Sequence, residues 1–227
     1  MDSTPIIQEA VKVLREGGVI LYPTDTVWGI GCDATNEKAV TRVFEIKRRS
    51  EAKSLVLLAC DLDMVAKYIK VIPSIAIDLV EVNDAPMTII YPGAQYLAPN
   101  AVAADGSVGI RIPIDSSFAG STGDPSEARD GDRQGGKSPA GKPTTPRNDL
   151  TAGAFCRELV RRLRRPLVST SANLSGEPTP ASFAEISEEI KSAVDYVVPK
   201  PFGAGATGRS SQIIKLGLGG EVEILRP

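Results

Sequence analysis

The sequence of 227 residues contains no histidine. This absence excludes Ser-His-Asp and Cys-His catalytic triads, histidine-based zinc sites and imidazole general bases. Any catalysis by this chain must therefore use lysine, arginine, carboxylates, hydroxyl groups or a metal held by oxygen ligands.

Cysteine is scarce and long apolar runs are missing. The three cysteines, Cys32, Cys60 and Cys156, are widely spaced and form no C-x-x-C pair, which predicts neither a disulfide framework nor a zinc cage. The N-terminus lacks the basic and apolar regions of a signal peptide, and no apolar run approaches the roughly 18 residues that a membrane span needs. We therefore expect a cytoplasmic protein that does not bind membranes.

Neither sign of charge is in large excess. The chain has 26 basic and 28 acidic residues and a formal net charge of −2, which argues against a protein that coats nucleic acid but leaves a local basic patch possible. Apolar residues make up 42% of the chain, which is ample for one hydrophobic core. We predict a single domain over residues 1–227.

Large apolar residues are nearly absent from one segment, at about 114–153. Its composition, rich in Gly, Ser, Pro, Asp and Arg, cannot bury enough surface to offset the entropy of ordering, so we predict a disordered insertion that interrupts the domain. Residues 131–138 within it, G-D-R-Q-G-G-K-S, match the phosphate-binding pattern G-x-x-x-x-G-K-S/T. That pattern needs a buried strand before it and a helix after it. The flanking residues predict neither element, and we interpret the match as accidental.

The remaining chain carries helical and strand patterns in mixed order. Apolar periodicity and capping residues predict helices at 4–16, 36–47, 61–69, 73–82 and 155–164, and one opened by a capping box at 182–185. Apolar, β-prone runs predict strands at 19–22, 55–59, 87–91, 108–112, 167–171, 196–198, 212–216 and 222–225. Because helices and strands do not strictly alternate, we expect an α/β (α+β-like) fold with a twisted, mixed parallel and antiparallel sheet flanked by helices.

Three polar segments are candidate ligand-binding sites. Residues 24–26, T-D-T, follow the first strand, at the end where α/β proteins often place ligand loops. Lys47 and Arg49 end a helix and could converge on phosphate oxygens, although cations at a helix C-terminus are usually only solvated. Residues 169–176, S-T-S-A-N-L-S-G, place many hydrogen-bond donors after a strand, a pattern typical of an anion site or of a simple turn.

Two further features are also candidates for ligand binding. Arg111 lies inside an apolar strand and needs a partner, which is either a carboxylate in a structural ion pair or a ligand. Residues 203–211, G-A-G-A-T-G-R-S-S, form a Gly-rich approach to a strand and predict either a mobile surface loop or part of a site.

Taken together, five motifs resemble the YrdC-type threonylcarbamoyl-AMP synthases: Y-P-T-D-T-V-W-G-I-G at 22–31, K-R-R at 47–49, R-I-P at 111–113, S-T-S-A-N at 169–173 and I-L-R-P at 224–227. The resemblance covers nearly the whole chain outside the insertion. It implies a YrdC-like fold and a nucleotidyltransferase that joins L-threonine, bicarbonate and ATP into L-threonylcarbamoyladenylate and pyrophosphate, for threonylcarbamoyladenosine modification of tRNA. It also implies Mg²⁺ bound with ATP, a separate threonylcarbamoyl transferase complex downstream, and only indirect or weak contact with tRNA.

The resemblance assigns roles to individual residues. The implied catalytic residues are Lys47 and Arg49. The implied ATP-binding residues are Lys47, Arg49, Lys53, Ser169, Ser171, Asn173, Ser175 and Arg226. The implied threonine-binding residues are Thr24, Arg111 and Ser211, with the arginine facing the threonine carboxylate. No residue is implied as a metal ligand, because the triphosphate and water would hold most of the Mg²⁺ shell.

The sequence departs from the family pattern at several positions. Arg48 stands where the family commonly has Gly, Ala85 precedes Pro86 where Gly-Pro is usual, Leu58 replaces a polar residue of some members, and Gln212 follows Ser211 where Thr is common. The long insertion is the largest departure, and we expect a short form without the additional C-terminal domain of longer relatives. These changes bear more on the threonine contacts than on the nucleotide contacts.

Two alternative functions stay open. One is an RNA-binding module, including one for double-stranded RNA, whose basic face would be formed by Arg157, Arg161, Arg162, Arg164 and Arg165. The other is a different carbamoyl-nucleotide enzyme or a non-catalytic YrdC-like paralogue. Threonine-dependent consumption of ATP would separate both from the enzyme.

Overall fold

The structure is a computed structural model, and it describes residues 3–49, 55–115, 150–199 and 206–227. In these ranges the helices are α1 (Thr4–Arg15), α2 (Glu37–Ile46), α3 (Leu62–Tyr68), α4 (Ser74–Val82), α5 (Ala152–Leu163) and α6 (Glu188–Ala193). The strands are β1 (Ile20–Pro23), β2 (Trp28–Gly31), β3 (Val56–Leu58), β4 (Met87–Tyr91), β5 (Val108–Arg111), β6 (Leu167–Ser171), β7 (Tyr196–Val197), β8 (Gln212–Leu216) and β9 (Val222–Arg226).

The strands form one sheet in the order β7-β1-β2-β6-β3-β5-β4-β8-β9. The pairs β1/β7, β3/β5 and β4/β8 are parallel. The pairs β1/β2, β2/β6, β3/β6, β4/β5 and β8/β9 are antiparallel. The mixed sheet flanked by helices is therefore confirmed, and the last two strands pair as an antiparallel hairpin.

The helices cover the two faces of the sheet in two groups. One hydrophobic cluster joins α2 and α3 to strand residues such as Ile30, Leu57 and Ile110. The other joins α1 and α5 to alternate strand residues, among them Tyr22 and Leu58. Because successive strand residues point to opposite faces, the register of the sheet decides which side chains lie on the α1/α5 face. That face carries the candidate site.

Strand β2 is absent from the sequence-based prediction. Its sequence, W-G-I-G, has too few β-branched residues to read as a strand. Packing explains the composition, since a Cβ on Gly31 would lie 2.3 Å from the carbonyl oxygen of Val168 and 2.8 Å from the Tyr22 ring. Only glycine allows β2 to lie this close to its neighbours.

Of two helix starts predicted from capping residues, one lies where it was expected and the other lies further along the chain. The side chain of Asn36 accepts a hydrogen bond from the Ala39 amide and so caps α2 as predicted. At the second position the prediction is wrong in detail. Ser182 and Glu185 do contact each other, with the hydroxyl donating to the carboxylate at 3.0 Å, but they close a short 3₁₀ turn, and α6 starts later with Ser187 as its cap.

The predicted boundaries of the insertion are too wide. Helix α5 starts at Ala152, capped by Thr151, and the Thr151 hydroxyl also donates a hydrogen bond of 2.8 Å to Asp115. Both sides of the insertion therefore meet next to the end of β5. A Cβ on Gly153 would lie 1.7 Å from the Ile114 carbonyl oxygen, so this approach requires glycine. Residues 116–149, including the phosphate-loop match at 131–138, lie outside the described residues.

Candidate active site

A polar cavity lies on the sheet face that also carries α1 and α5. On this face the strand residues change from large and apolar, as in Tyr22 and Leu58, to small or polar. Gly29 pairs with Ser171, and Arg111 pairs with Thr88, so these four side-chain positions share the face. Small residues leave a depression that large residues would fill.

The cavity has a volume of about 250 Å³ and is lined by residues from distant parts of the chain. The described residues that line it are Thr24, Thr26, Val27, Gly29, Arg49, Val56, Arg111, Ser169, Thr170, Ser171, Ser210, Ser211, Ile213 and Arg226. Three cations and a group of hydroxyls thus face one space, and the described part of the lining includes no carboxylate. This composition suits an anionic ligand.

The tip of the β1–β2 hairpin forms one wall. The Thr24 hydroxyl donates to the Val27 carbonyl at 2.7 Å and accepts hydrogen bonds from the amides of Thr26 and Val27. Thr24 is buried, and these contacts fix the position of its hydroxyl. The T-D-T motif is therefore a rigid turn at the edge of the cavity.

Arg111 finds its partner in the same turn. Its guanidinium donates to one carboxylate oxygen of Asp25, and the other oxygen accepts the Ile114 amide at 3.1 Å. Arg111 is 4% exposed and Asp25 is 2% exposed. The ion-pair alternative left open by the sequence is thus present, while Arg111 still lines the cavity.

Ser211 and Arg226 form the opposite wall. The Ser211 hydroxyl lies 2.8 Å from the Thr88 hydroxyl, and the Ser211 carbonyl accepts a hydrogen bond of 2.8 Å from Arg226 Nε. Partial burial lowers the pKa of the Arg226 guanidinium. Strands β8 and β9 therefore bring a hydroxyl and a cation to the same edge of the cavity.

Lys47 lies behind the turn that follows β6. Its ammonium group donates to the carbonyl oxygen of Ser171 and, at 2.7 Å, to that of Asn173. In the reverse direction the Ser175 amide donates to the Lys47 carbonyl at 2.9 Å. Lys47 is 2% exposed and is not among the described residues that line the cavity. The lysine thus holds the segment 169–175 in place.

Burial changes the protonation of this lysine. Loss of hydration and, to a smaller extent, the neighbouring Arg49 charge together lower the pKa of Lys47 to about 8. Burial also lowers the pKa of the Arg49 guanidinium. Of the two cations singled out in the sequence, Arg49 is the one that faces the cavity.

The conformation of Arg48, which lies between these two cations, shows why glycine is common at this position in the family. Its φ is 49°, in the left-handed region where glycine has no steric cost. Its guanidinium lies 2.6 Å from Glu189 on α6, with both side chains largely exposed. The backbone shape that glycine would give is kept here by an arginine.

The structure brings together part of the predicted site. It places Thr24, Arg49, Arg111, Ser169, Ser171, Ser211 and Arg226 around one cavity. Asn173 instead closes its own turn, its amide donating to the carbonyls of Leu174 and Glu177, and lines a neighbouring surface depression. Ser175 is exposed, and Lys53 lies outside the described residues.

Asp25 is the main residue that the sequence-based assignment missed. It was seen only as part of the T-D-T turn, without a partner. The signal was available, because an arginine inside an apolar strand requires a carboxylate or a ligand, and Asp25 lies in the motif with the strongest ligand pattern.

The arginines of the RNA-binding alternative are partly neutralised. Arg161 and Arg162 lie 2.7 and 2.6 Å from the carboxylate of Glu158 on the same helix. Arg165 lies 2.6 Å from the buried Asp33. These pairs reduce the positive charge that this face presents to nucleic-acid phosphates.

Comparison with known proteins identifies the family. The sequence profile of the Sua5/YciO/YrdC family, described as telomere recombination, matches residues 12–118 and 150–227. The chain belongs to the Sua5/YciO/YrdC family. Family members named threonylcarbamoyl-AMP synthase are similar over most of their length. The one from Xanthomonas campestris pv. campestris is 30% identical, over 95% of this chain and all of its own, and the one from Pseudoalteromonas translucida is 29% identical, over 89% and 90%.

Solved structures of the Sua5/YciO/YrdC family share the fold. A variant of P. abyssi Sua5 superposes with a TM-score of 0.72 at 24% identity, over 97% of this chain and 56% of that protein. E. coli YciO superposes with a TM-score of 0.69 at 22% identity, over 98% and 88%. The P. abyssi protein has also been crystallised with L-threonine. The predicted YrdC-like fold is confirmed.

Proposed function

We propose that this chain is an L-threonylcarbamoyladenylate synthase. The proposal rests on one observation above all: a single polar cavity gathers the hydroxyls and cations of all five sequence motifs. The names of the similar proteins support the same reaction. The substrates are L-threonine, bicarbonate and ATP, and the products are L-threonylcarbamoyladenylate and pyrophosphate.

Arg49 and Arg226 bind the phosphates from two sides in this proposal. Both guanidinium groups line the cavity, and arginine matches phosphate oxygens with paired N–H donors. Ser169 and Ser171 add hydroxyl donors from the end of β6. Lys47 acts through the turn that it holds, and it contributes its charge from just behind the phosphate site.

Threonine occupies the end of the cavity next to the β1–β2 turn. Arg111 faces its carboxylate with the N–H groups that do not bind Asp25. Thr24 and Ser211 supply hydroxyls on either side. The crystallisation of P. abyssi Sua5 with L-threonine supports an amino-acid site in this fold.

The chemistry requires positioning and neutralisation of charge. The threonine amine adds to carbon dioxide derived from bicarbonate and loses a proton to solvent, giving a carbamate. One carbamate oxygen then attacks the α-phosphorus of ATP, the bond to the β-phosphate bridging oxygen breaks, and pyrophosphate leaves. Because the carbamate is already anionic, no imidazole base is needed, and the cavity's cations stabilise the charge on the phosphoryl oxygens.

Mg²⁺ enters with ATP in this mechanism. Among the described residues no group of three or more His, Cys, Asp or Glu side chains could hold a metal ion. The triphosphate and water therefore supply most ligands, and the cavity hydroxyls are the available protein donors. We propose MgATP as the nucleotide substrate.

The product is consumed elsewhere. We propose that a separate threonylcarbamoyl transferase complex takes it to tRNA, that this chain contacts tRNA only indirectly or weakly, and that the reaction takes place in the cytoplasm. No helix in the described ranges combines the length and apolar character that crossing a bilayer requires.

The decisive experiment measures pyrophosphate release with ATP and Mg²⁺ while threonine or bicarbonate is omitted in turn. Release should depend on both, and Arg49→Ala should lower it by about a hundredfold, as expected for one lost phosphate donor. A matched control is Arg15→Ala, which removes an arginine from α1, away from the cavity. Release that ignores both omissions would overturn the proposal. Salt-dependent RNA binding without turnover would favour the RNA-binding module instead.

A further inference from the structure

The two ends of the cavity differ in how their cations are balanced. Lys47 is held by the neutral carbonyl oxygens of Ser171 and Asn173, and Arg226 donates its Nε to another neutral carbonyl. Hydrogen bonds of this kind orient a cation without cancelling its charge. Arg111 is instead paired with a buried carboxylate.

Both carboxylate oxygens of Asp25 are occupied by hydrogen bonds. One carboxylate oxygen binds Arg111 and the other accepts the Ile114 amide. Its main-chain carbonyl accepts the Thr207 amide at 2.9 Å, so the residue also ties down the segment that leads to Ser211. Asp25 does not line the cavity, and it acts on a ligand only through the groups that it holds.

We propose that Asp25 is the specificity-determining positioning residue of the amino-acid end. By cancelling the charge of Arg111, it leaves guanidinium N–H groups that orient one carboxylate but no net charge that attracts a polyphosphate. Arg111 alone would be a second phosphate site in the same cavity, and pyrophosphate would compete there with threonine. The pair thus keeps the triphosphate and its pyrophosphate product out of the threonine end.

Chain geometry supports this assignment. Arg111 and Asp25 are both nearly inaccessible, so their charges interact in surroundings where water screens them weakly. The backbone is fixed at both residues, because Asp25 lies in the rigid turn and Arg111 lies inside β5. The guanidinium therefore cannot swing into the cavity to follow a phosphate without breaking the pair.

The inference rests on the proposed function for the two ligands, but its test is an equilibrium measurement that needs no turnover. Inorganic pyrophosphate is titrated calorimetrically, without ATP, into the full chain and into Asp25→Asn, Arg111→Gln and the double variant. These changes set the charge of the pair to +1, −1 and 0, against 0 in the parent. Asp78→Asn on the exposed side of α4 is the control, since it removes one negative charge on the opposite face of the sheet.

The expected order of pyrophosphate affinity follows the charge of the pair. Asp25→Asn should bind about tenfold more tightly than the parent and Arg111→Gln about tenfold more weakly, with the double variant and the control within about threefold of the parent. In Asp25→Asn, pyrophosphate should also displace L-threonine, which it should not do in the parent.

Equal affinities in the parent, Asp25→Asn and Arg111→Gln would overturn the inference, as would tighter binding in the control. If Asp25→Asn does not fold, the comparison of Arg111→Gln with the double variant decides. Restored affinity in the double variant supports charge cancellation, and unchanged affinity refutes it. A lack of threonine-dependent pyrophosphate release would contradict the proposed function without affecting this order.

Discussion

Lys47 and Arg111 are two buried cations, and different groups compensate for the loss of hydration of each. Both are less than 5% exposed, and both are fixed by residues far away in sequence. Lys47 donates to main-chain carbonyls, keeps its net charge, and has its pKa lowered to about 8. Arg111 shares its charge with Asp25.

The difference shows how one cavity can present two kinds of anion site. A cation surrounded by neutral acceptors extends its field into the cavity, whereas a cation next to a carboxylate offers directional N–H groups and little field. The first arrangement suits phosphates and the second suits a single carboxylate. Changing either cation or the groups that hold it should therefore weaken this contrast.

Removing Arg111 should have the largest effect on stability. Arg111→Gln leaves Asp25 buried without its counter-charge, which should lower the free energy of unfolding by about 3–5 kcal/mol. Adding Asp25→Asn removes the orphaned charge and should recover more than half of the loss. Urea unfolding at pH 7 measures both, and a double variant no more stable than Arg111→Gln would show that the pair is not the cause.

The pH dependence of stability should reveal Lys47. Its pKa is about 8 in the folded chain and 10.5 as the ordinary value, so between these values the unfolded state binds one more proton. The free energy of unfolding should therefore rise with pH from 8 to 10.5, by up to about 3 kcal/mol. Pyrophosphate release should fall as the pH rises through about 8, because the folded chain loses the Lys47 charge near the phosphates there.

Lys47→Met is the matched control for this titration. The rise in stability should be smaller in the variant than in the parent by the contribution of one lysine. If the parent and Lys47→Met show the same dependence from pH 8 to 10.5, the lysine does not titrate as the buried geometry requires.

A methyl group at Gly29 should affect the threonine end more than the phosphate end, because its nearest side-chain contact is Thr24. Its Cβ would lie 3.3 Å from Thr24 Cγ2 and 3.5 Å from Ser169 Oγ, which is tight but without overlap. Gly29→Ala should raise the KM for threonine about threefold to tenfold, change the KM for ATP little, and cost about 1 kcal/mol of stability or less. A rise in the KM for ATP as large as the rise in the KM for threonine would show that the two ends of the cavity are not distinct.

Arg48→Gly should have the smallest effect and the opposite sign. Glycine adopts the observed φ of 49° freely, while the Arg48–Glu189 pair is exposed (67% and 51%) and contributes little. The free energy of unfolding should rise by up to about 1 kcal/mol with unchanged activity. Glu189→Gln separates the two effects, because it removes the ion pair and keeps the strained backbone.

Sequence patterns predicted the regular parts of the molecule well. Helices with clear apolar periodicity and a capping residue, such as α1 and α2, lie where they were expected, because local forces fix them. Strand β2 was missed because its glycines are selected by the approach of Val168 and Tyr22, a tertiary constraint with no local signature. The late start of α6 has a local origin, because the capping-box residues close a single 3₁₀ turn and Ser187 then caps the helix.

The sequence identified several residues of the site but not the contacts between them. Motif resemblance named Arg49, Arg111 and Arg226, which do meet in the cavity. It could not tell that Lys47 points away from the cavity into two carbonyls, or that Asp25 neutralises Arg111. Such pairings depend on the register of strands far apart in sequence, which no single motif contains.

The contact between Asp115 and Thr151 makes the fold indifferent to the length of the chain between them. The two ends are already joined by a hydrogen bond of 2.8 Å and by the packing of Gly153 on Ile114. Closing a loop between fixed ends costs only about 0.6 kcal/mol for each doubling of its length. A change in the length or sequence of the segment 116–149 should therefore cost little free energy of folding. This position is a suitable insertion site for a tag or a second domain.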